Sequence, residues 1–442
     1  KAPENLGGLA VSPEWQYDVN QAPLFRVQVD VISDDKFGLL VGFHHAILDG
    51  WSFANLMAAI LADYFDIQKI TAAPDRGRIQ AEASRQQQQA RDNHGDKAYW
   101  KPIVKSLPVL PIASPPRIDM ITSRRSLGEA RATHVRKMAQ DLGLSLRTLL
   151  LGAHFQAIAD KTFPSEAFKS PTVTGYVANI RPNMAGADEA LGMFLNTLPI
   201  VCPDDDFSNV GRWLQKLAEA EAEFLENRFM PLPEVLLHSG GNPVFETAFN
   251  FVHFHNYRAG LGLNIKLVEN VEIFERTDFP FLAQFGVDPR SDEIELLLVS
   301  NRLEDTDDTM EKFVQHYFDV LDRMLSVHKN VPLTQDLLPS SAVIWTEREA
   351  TLREAWRDIT QNDVPSPDAD LYAHGADSLL VTRFVAVVKR ETKVELRTRD
   401  FLENPTLKNV ARRLDELAAT PVANQPRLRR RVKPSPVVRP LD

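Results

Sequence analysis

A single cysteine, Cys202, leaves this 442-residue chain without an intrachain disulfide and without the thiolate cluster of a structural zinc site. It reads as a core residue in a reducing compartment, and the expected localisation is cytoplasmic. No stretch approaches eighteen consecutive apolar residues, and the opening KAPENLGGLA has neither the apolar run of a secretory signal nor an initiator methionine. A membrane is therefore not an expected partner, and the first residues need not mark a natural domain boundary. Excess positive charge is lacking too: 50 Lys and Arg stand against 60 Asp and Glu, a net charge of -10, which argues against nucleic acid as a partner. The basic exception, PRLRRRVKPSPVVRPLD from Pro426, mixes arginine with proline and reads as an unstructured arm or linker.

What is present is ample apolar material. At 44% hydrophobic residues over this length, two or three domains are expected. Residues 10–330 alternate strand-like and helix-like segments. LFRVQVDVI and FGLLVGFH form two strands around the turn SDDK, and residues 51–65 a helix. The polar stretch from Gln68 to Gly95 reads as loop and exposed helix, and the proline-bearing KAYWKPIVKSLPVLPIASPP as an irregular crossover between halves. Beyond it, ATHVRKMAQDLGLSLRTLLLGAHFQAIADK suggests two helices around Gly143. TVTGYVANI, TAFNFVHFHNY, NIKLVENVEIF and EIELLLVSNR are strand-like, and VGRWLQKLAEAEAEFLENR and MEKFVQHYFDVLDRML are amphipathic helices. Two layered α/β halves follow from this pattern. From about Thr346 to Leu417 the period is helical throughout, which marks a small separate all-helical module.

Chemistry concentrates where the period changes. In FGLLVGFHHAILDGWSF, residues 37–53, the two-residue period ends at Phe43 and a helical face begins at Phe53, so His44, His45, Asp49 and Gly50 lie in a turn. A histidine there can exchange a proton near neutrality, Asp49 can orient a ring or hold a cation, and Gly50 permits close approach. The same residues also fit a structural turn in which Asp49 caps the helix, and physics alone leaves both open. Metal ligation is not expected, because the adjacent histidines point apart and no HExxH or cysteine cluster completes a site. There is no GxSxG nucleophile either.

HHAILDG, residues 44–50, matches the HHxxxDG signature and resembles the condensation domains of nonribosomal peptide synthetases, in the superfamily of chloramphenicol acetyltransferase-like acyltransferases. The resemblance continues in order through GYVANIRPN (175–183), LGMFLNTLPI (191–200), FMPLPEVL (229–236) and NPVFETAFNF (242–251). It implies an α/β, two-lobed condensation fold. HGADSLL, residues 374–380, resembles the GxDSL region of peptidyl carrier domains, and PTLKNVARRLDEL their final helix, which implies a small all-α four-helix bundle. On the residues alone, Ser378 or Asp377 can also be read as a simple helix cap.

The resemblance assigns roles residue by residue. His45 is the family's catalytic histidine, His44 its neighbour in the signature, Asp49 a structural partner in a salt bridge with Arg181, and Gly50 a residue lining the reaction centre. Asn196 and Asn250 lie in recurrent segments near the interface of the lobes. Ser378 is the attachment point for 4'-phosphopantetheine. The implied division is 1–335 condensation, 336–342 linker, 343–418 carrier and 419–442 tail.

Two departures shape the expected partners. The family's earliest motifs belong upstream of HHxxxDG, yet only 43 residues precede His44 and neither motif occurs in them, so an N-terminal lobe segment is expected from elsewhere. No adenylation sequence separates condensation from carrier, so Ser378 is expected to be loaded by an adenylation enzyme, or supplied from another carrier, in trans. The remaining expected partners are a phosphopantetheinyl transferase and an upstream carrier bearing the donor thioester. Amide formation in a linear chain extension is expected, with ester formation or noncatalytic carrier docking as alternatives. A DxxxxD pattern, which marks heterocyclisation in this family, is missing from residues 44–50.

Overall fold

The computed structural model describes residues 17–33, 36–64, 75–111, 120–160, 168–252 apart from 183, 185, 188 and 204–206, 277–288 and 293–329. In the C-terminal region it describes 345–360, 364, 366–367, 371, 378–394, 396, 401 and 406–419. The N-terminal region is a mixed α/β, two-lobed fold, and among the described residues the C-terminal region is all-α. The expected strand NIKLVENVEIF, the linker 336–342 and the tail from 420 lie outside the described residues.

The first lobe is represented by an antiparallel hairpin, β1 (Phe25–Ser33) and β2 (Lys36–Phe43), followed by helix α1 (Gly50–Tyr64). The second is built on a six-stranded sheet: β3 (Ile121–Ser126), β4 (Val173–Asn179), β5 (Leu195–Val201), β6 (Thr247–Val252), β7 (Phe281–Val287) and β8 (Ile294–Ser300). Its order is β3-β8-β7-β6-β4-β5, with β4, β6 and β7 mutually parallel and the other pairings antiparallel. One face packs on α4 (Glu129–Leu142), α5 (Leu146–Ala159), α6 (Val210–Glu226) and α8 (Asp307–Lys329), with the short α7 (Leu232–Leu236) between the last two in the chain. Helix α5 is buried on all sides, which accounts for its nearly uniform apolar composition. Among the described residues, no single helix is long and apolar enough to cross a membrane.

The stretch read as loop and exposed helix contains a largely exposed helix, α2 (Arg76–Asp92), whose buried Ile79 packs with Ile180 and Phe194 of the second lobe; residues 68–74 lie outside the described residues. One expectation needs correction. The proline-bearing crossover begins as α3 (His94–Ser106), which runs through Pro102. A proline inside a helix removes a hydrogen bond and costs about 3 kcal/mol. The anchor that outweighs it is Trp100, which is buried in the main core and donates from Nε1 to the Asn227 carbonyl at 3.1 Å. Helices α2 and α3 therefore pack with residues of the second lobe.

The C-terminal region contains α9 (Glu347–Thr360), α10 (Ser378–Thr392) and α11 (Leu407–Ala419) around its own core of Trp356, Phe384 and Phe401. Helix α9 starts with a capping box: Thr346 N–H donates to Glu349 Oε2 at 2.8 Å, and Glu349 N–H to Thr346 Oγ1 at 3.2 Å. The segment between α10 and α11, where a fourth helix of the expected bundle falls, is described only at scattered positions.

The second lobe buries an ionisable group away from the histidine turn. His154 on α5 lies between Tyr317 (Nδ1 to hydroxyl, 2.8 Å) and Thr174 (Nε2 to Oγ1, 2.9 Å). Thr174 spends its own proton on the Thr247 carbonyl, so it accepts from Nε2–H, and Tyr317 donates to Nδ1. This suits neutral imidazole, and burial pushes the His154 pKa down to about 3. The unfolded chain then binds the extra proton first, so stability contributed here is complete above about pH 6.5 and falls as the pH drops toward 3. His154→Gln is expected to flatten the acid limb of stability between pH 6.5 and 4 by up to about 1.4 kcal/mol per pH unit. Urea titrations across that range check it; an unchanged slope would contradict a neutral His154.

Candidate active site: the histidine turn and its clasp

The turn after β2 is organised by its own side chains. His44 N–H extends the hairpin by donating to the Leu24 carbonyl at 2.9 Å, and its Nδ1 accepts from Ala46 N–H at 3.0 Å. His44 therefore builds the turn. The half-buried His45 donates from Nδ1 to the Leu48 carbonyl at 3.1 Å, because a carbonyl only accepts, and this fixes Nε2 as the basic nitrogen. Its ring packs edge-on against Phe43, with centroids 5.5 Å apart.

Asp49 has both roles that its sequence context allowed. As N-cap of α1 it accepts from Ser52 N–H at 2.7 Å. It also accepts from Arg181 Nη2, at 2.8 Å to Oδ1 and 3.0 Å to Oδ2, and from Phe194 N–H at 3.0 Å. Both side chains of the ion pair are 1% exposed, so desolvation must be offset by hydrogen bonds at each end. Arg181 meets this need: Nη1 donates to the carbonyls of Ala187 and Ala190, Nη2 also donates to Ser52 Oγ at 2.7 Å, and the guanidinium lies 4.4 Å over the Phe194 ring. Gly50, half-buried, is the first residue of α1.

Ser52 is the functional residue that the pattern analysis passed over. Fully buried, it donates to the Gly192 carbonyl at 2.8 Å and accepts from Gly192 N–H at 3.0 Å and from Arg181. One proton and two lone pairs are thereby all used. Asp49 N–H donates to the same Gly192 carbonyl at 3.0 Å, so the start of α1 is clasped to residues 190–194 of the other lobe. A side chain at Gly192 would collide with the Phe194 ring, since an added Cβ falls 2.8 Å from it. The Asp-x-x-Ser spacing was a usable cap signal; the distant glycine partner was not.

The other candidates stand apart. Asn196 donates from Nδ2 to the carbonyls of Arg228 and Met230, both at 2.8 Å, and braces the connection after α6. Asn250 on β6 donates from Nδ2 to Gln284 Oε1 on β7 at 2.8 Å. Ser378 is the first residue of α10. Among the described residues, no group of three His, Cys, Asp or Glu is arranged to hold a metal ion.

The sequence of residues 12–342, more than half of the chain, matches the model of the Condensation domain family. The chain belongs to the condensation-domain family. Residues 350–414 match the model of the Phosphopantetheine attachment site, so a carrier-type region follows the condensation domain. Among curated relatives, the chain is 30% identical over 250 residues to the AMB antimetabolite synthetase AmbE of Pseudomonas aeruginosa, covering 54% of the chain and 11% of that protein. Bacitracin synthase 1 of Bacillus licheniformis is 23% identical over 322 residues, covering 70% of the chain and 6% of the relative. The chain thus spans a small fraction of these relatives.

Solved structures share the condensation fold. The condensation domain of the Monacolin K polyketide synthase MokA superposes with a TM-score of 0.55 at 16% identity, covering 70% of this chain and 74% of that one. The X-domain from teicoplanin biosynthesis gives 0.56 at 14% identity, covering 71% and 74%. The four-domain nonribosomal peptide synthetase AB3403 gives 0.58 at 16%, covering 78% and 29%.

Proposed function

We propose that this condensation domain joins an acyl or peptidyl donor, held as a thioester on an upstream carrier, to an acceptor amine, in nonribosomal peptide synthesis. The observation that carries the reading is the intact histidine turn, held by a buried ion pair and a hydrogen-bonded clasp, with His45 Nε2 left as the basic nitrogen. His45 takes or orients the amine proton as nitrogen adds to the donor carbonyl, and Asp49 and Arg181 hold the turn that presents it. We place the division between condensation and carrier regions at 336–342, with Ser378 as the attachment residue.

The C-terminal region fits 4'-phosphopantetheine. Ser378 opens a fifteen-residue helix with no acidic residue in its first turn, and the N–H groups of a first helical turn favour a phosphate anion. When attached, the arm supplies a thiol on a flexible tether. A phosphopantetheinyl transferase, a donor carrier and loading in trans are what this reading requires. A reducing, cytoplasmic setting suits such a thiol.

The test uses the full chain with a phosphopantetheinyl transferase and coenzyme A. Intact mass and peptide fragmentation are expected to place one adduct on Ser378, lost in Ser378→Ala, and mass spectrometry then follows amide and ester products with amine and alcohol acceptors. An adduct elsewhere, or none under conditions that load a known carrier, would defeat the carrier assignment. A second reading, docking without bond formation, draws on the fold shared with an X-domain that has been solved in complex with OxyB. It predicts carrier binding without product.

A further inference from the structure

Strand β1 shows its apolar side chains to solvent. Phe25, Val27, Val29 and Val31 are 52–75% exposed, although each stands opposite an apolar residue of β2 on the same face of the hairpin. Helix α1 accounts for the difference. Its Phe53 stacks on Phe43 with centroids 5.1 Å apart, and its Tyr64 meets Phe37 at 5.6 Å, so the helix covers β2 and leaves the β1 half of that face bare. The opposite face of β1 carries Arg26, Gln28 and Asp30.

The backbone of β1 is open as well. His44 N–H donates to the Leu24 carbonyl, so Leu24 and the even-numbered residues after it turn their backbone groups to β2, while Phe25, Val27, Val29 and Val31 turn theirs away from it. Among the described residues, no strand pairs with that outer edge. Its regular run extends from Phe25 to Val31, where an irregularity between Val31 and Ser33 ends it. An exposed apolar edge of this kind is a template for another strand.

The order of the charges selects the occupant. An antiparallel copy of β1 centred on Gln28 places Val27 opposite Val29, Phe25 opposite Val31 and Arg26 opposite Asp30, each twice by symmetry. The residues whose backbone groups face the open edge then bond to one another, the apolar side chains share one face, and both charges are matched on the other. Moving the centre to Val27 or Val29 puts Gln28 opposite Arg26 or Asp30 and loses the match. Among the described residues, neither Arg26 nor Asp30 has an ion-pair partner in its own chain, and Arg26 lies 5.8 Å from the centroid of the Tyr17 ring.

We propose that β1 is an interaction surface for a second copy of this chain, joined as an antiparallel β1–β1 pair about a two-fold axis at Gln28. The contact is isologous and closes after two copies. It makes a four-stranded sheet with both α1 helices on one face, flanking the apolar side chains that a single copy leaves bare. Because β2 leads into His45, the shared sheet carries both histidine turns. The inference goes beyond the condensation reading and does not depend on it.

A shared strand edge is a small interface, below about 1,200 Å² in total, so a weak and concentration-dependent dimer is expected. Sedimentation velocity of the full chain across the micromolar range is expected to show monomer passing to dimer. Arg26→Asp sets like charges opposite each other twice and is expected to weaken the dimer about tenfold, and Arg26→Asp with Asp30→Arg to restore it. Both positions lie on the surface of the hairpin, and unfolding curves confirm that each variant keeps its fold. The register has its own readout. In a Cys202→Ser background, Gln28→Cys brings two thiols together across the axis, and oxidised glutathione is expected to lock the dimer, whereas Arg26→Cys gives no cross-link. A monomer at every concentration, which would leave this edge to a different chain, would overturn the proposal. So would a dimer that ignores Arg26→Asp, or one that is not cross-linked through Gln28→Cys.

Discussion

Replacing Arg181 with methionine is expected to destabilise the condensation region by about 3–5 kcal/mol, the usual effect of removing one partner of a buried ion pair. The side chain it removes is 1% exposed and satisfies Asp49, Ser52 Oγ and two backbone carbonyls. Methionine fills much of the volume but supplies none of these donors. Asp49 would keep the Ser52 and Phe194 N–H groups, which cap a carboxylate but do not neutralise it. For a region spanning residues 12–342 the first thermal transition should drop by roughly 4–7 °C. The paired change Asp49→Leu with Arg181→Met is expected to recover part of the loss, because no buried charge is then left alone. Calorimetry and urea titration of the wild type, both single variants and the double variant measure the coupling. A loss below about 1 kcal/mol in the single variant would mean that water reaches this pair.

The parts of this arrangement that were legible in the sequence are local. The change of period from two to 3.6 at Phe43 and Phe53 placed the histidine turn, and Gly143 placed the break between α4 and α5. Three strands escaped the pattern for separate reasons. β3, ITSRRS, is an edge strand with polar side chains, so alternation is weak. β5, LNTLPIV, carries Pro199, which argues against a strand until its place at the other sheet edge is known. β7, FLAQFGV, is interior and mostly buried on both faces, so its apolar run lacks the alternation expected of a half-buried strand. The clasp was illegible for a different reason. Arg181 lies 132 residues from Asp49, and Gly192 lies 140 from Ser52, so only the family resemblance linked the first pair and nothing linked the second. Local periodicity carries no information about which glycine a serine will face.

His45→Ala is expected to lower the rate of amide formation by about 10²–10⁴-fold, the usual contribution of a positioned acid or base, while thermal stability changes little. The reason lies in how the turn is divided. His44, through Nδ1 and its backbone, builds the turn, and Asp49, Ser52 and Arg181 anchor it, whereas His45 donates from Nδ1 to the Leu48 carbonyl. Its removal leaves one carbonyl in a half-buried turn without that donor, a modest cost of about 1 kcal/mol. His45→Gln separates the two candidate roles. Glutamine can still orient an amine by hydrogen bonding but takes no proton at neutral pH. A rate near wild type would therefore identify positioning, and a rate as low as alanine's would identify proton transfer. The measurement is single-turnover product formation with a loaded donor carrier and a saturating amine, alongside unfolding curves for each variant. If His45→Ala turned over at the wild-type rate with its fold intact, neither role would stand, and the histidine turn would be a structural corner of the lobe boundary.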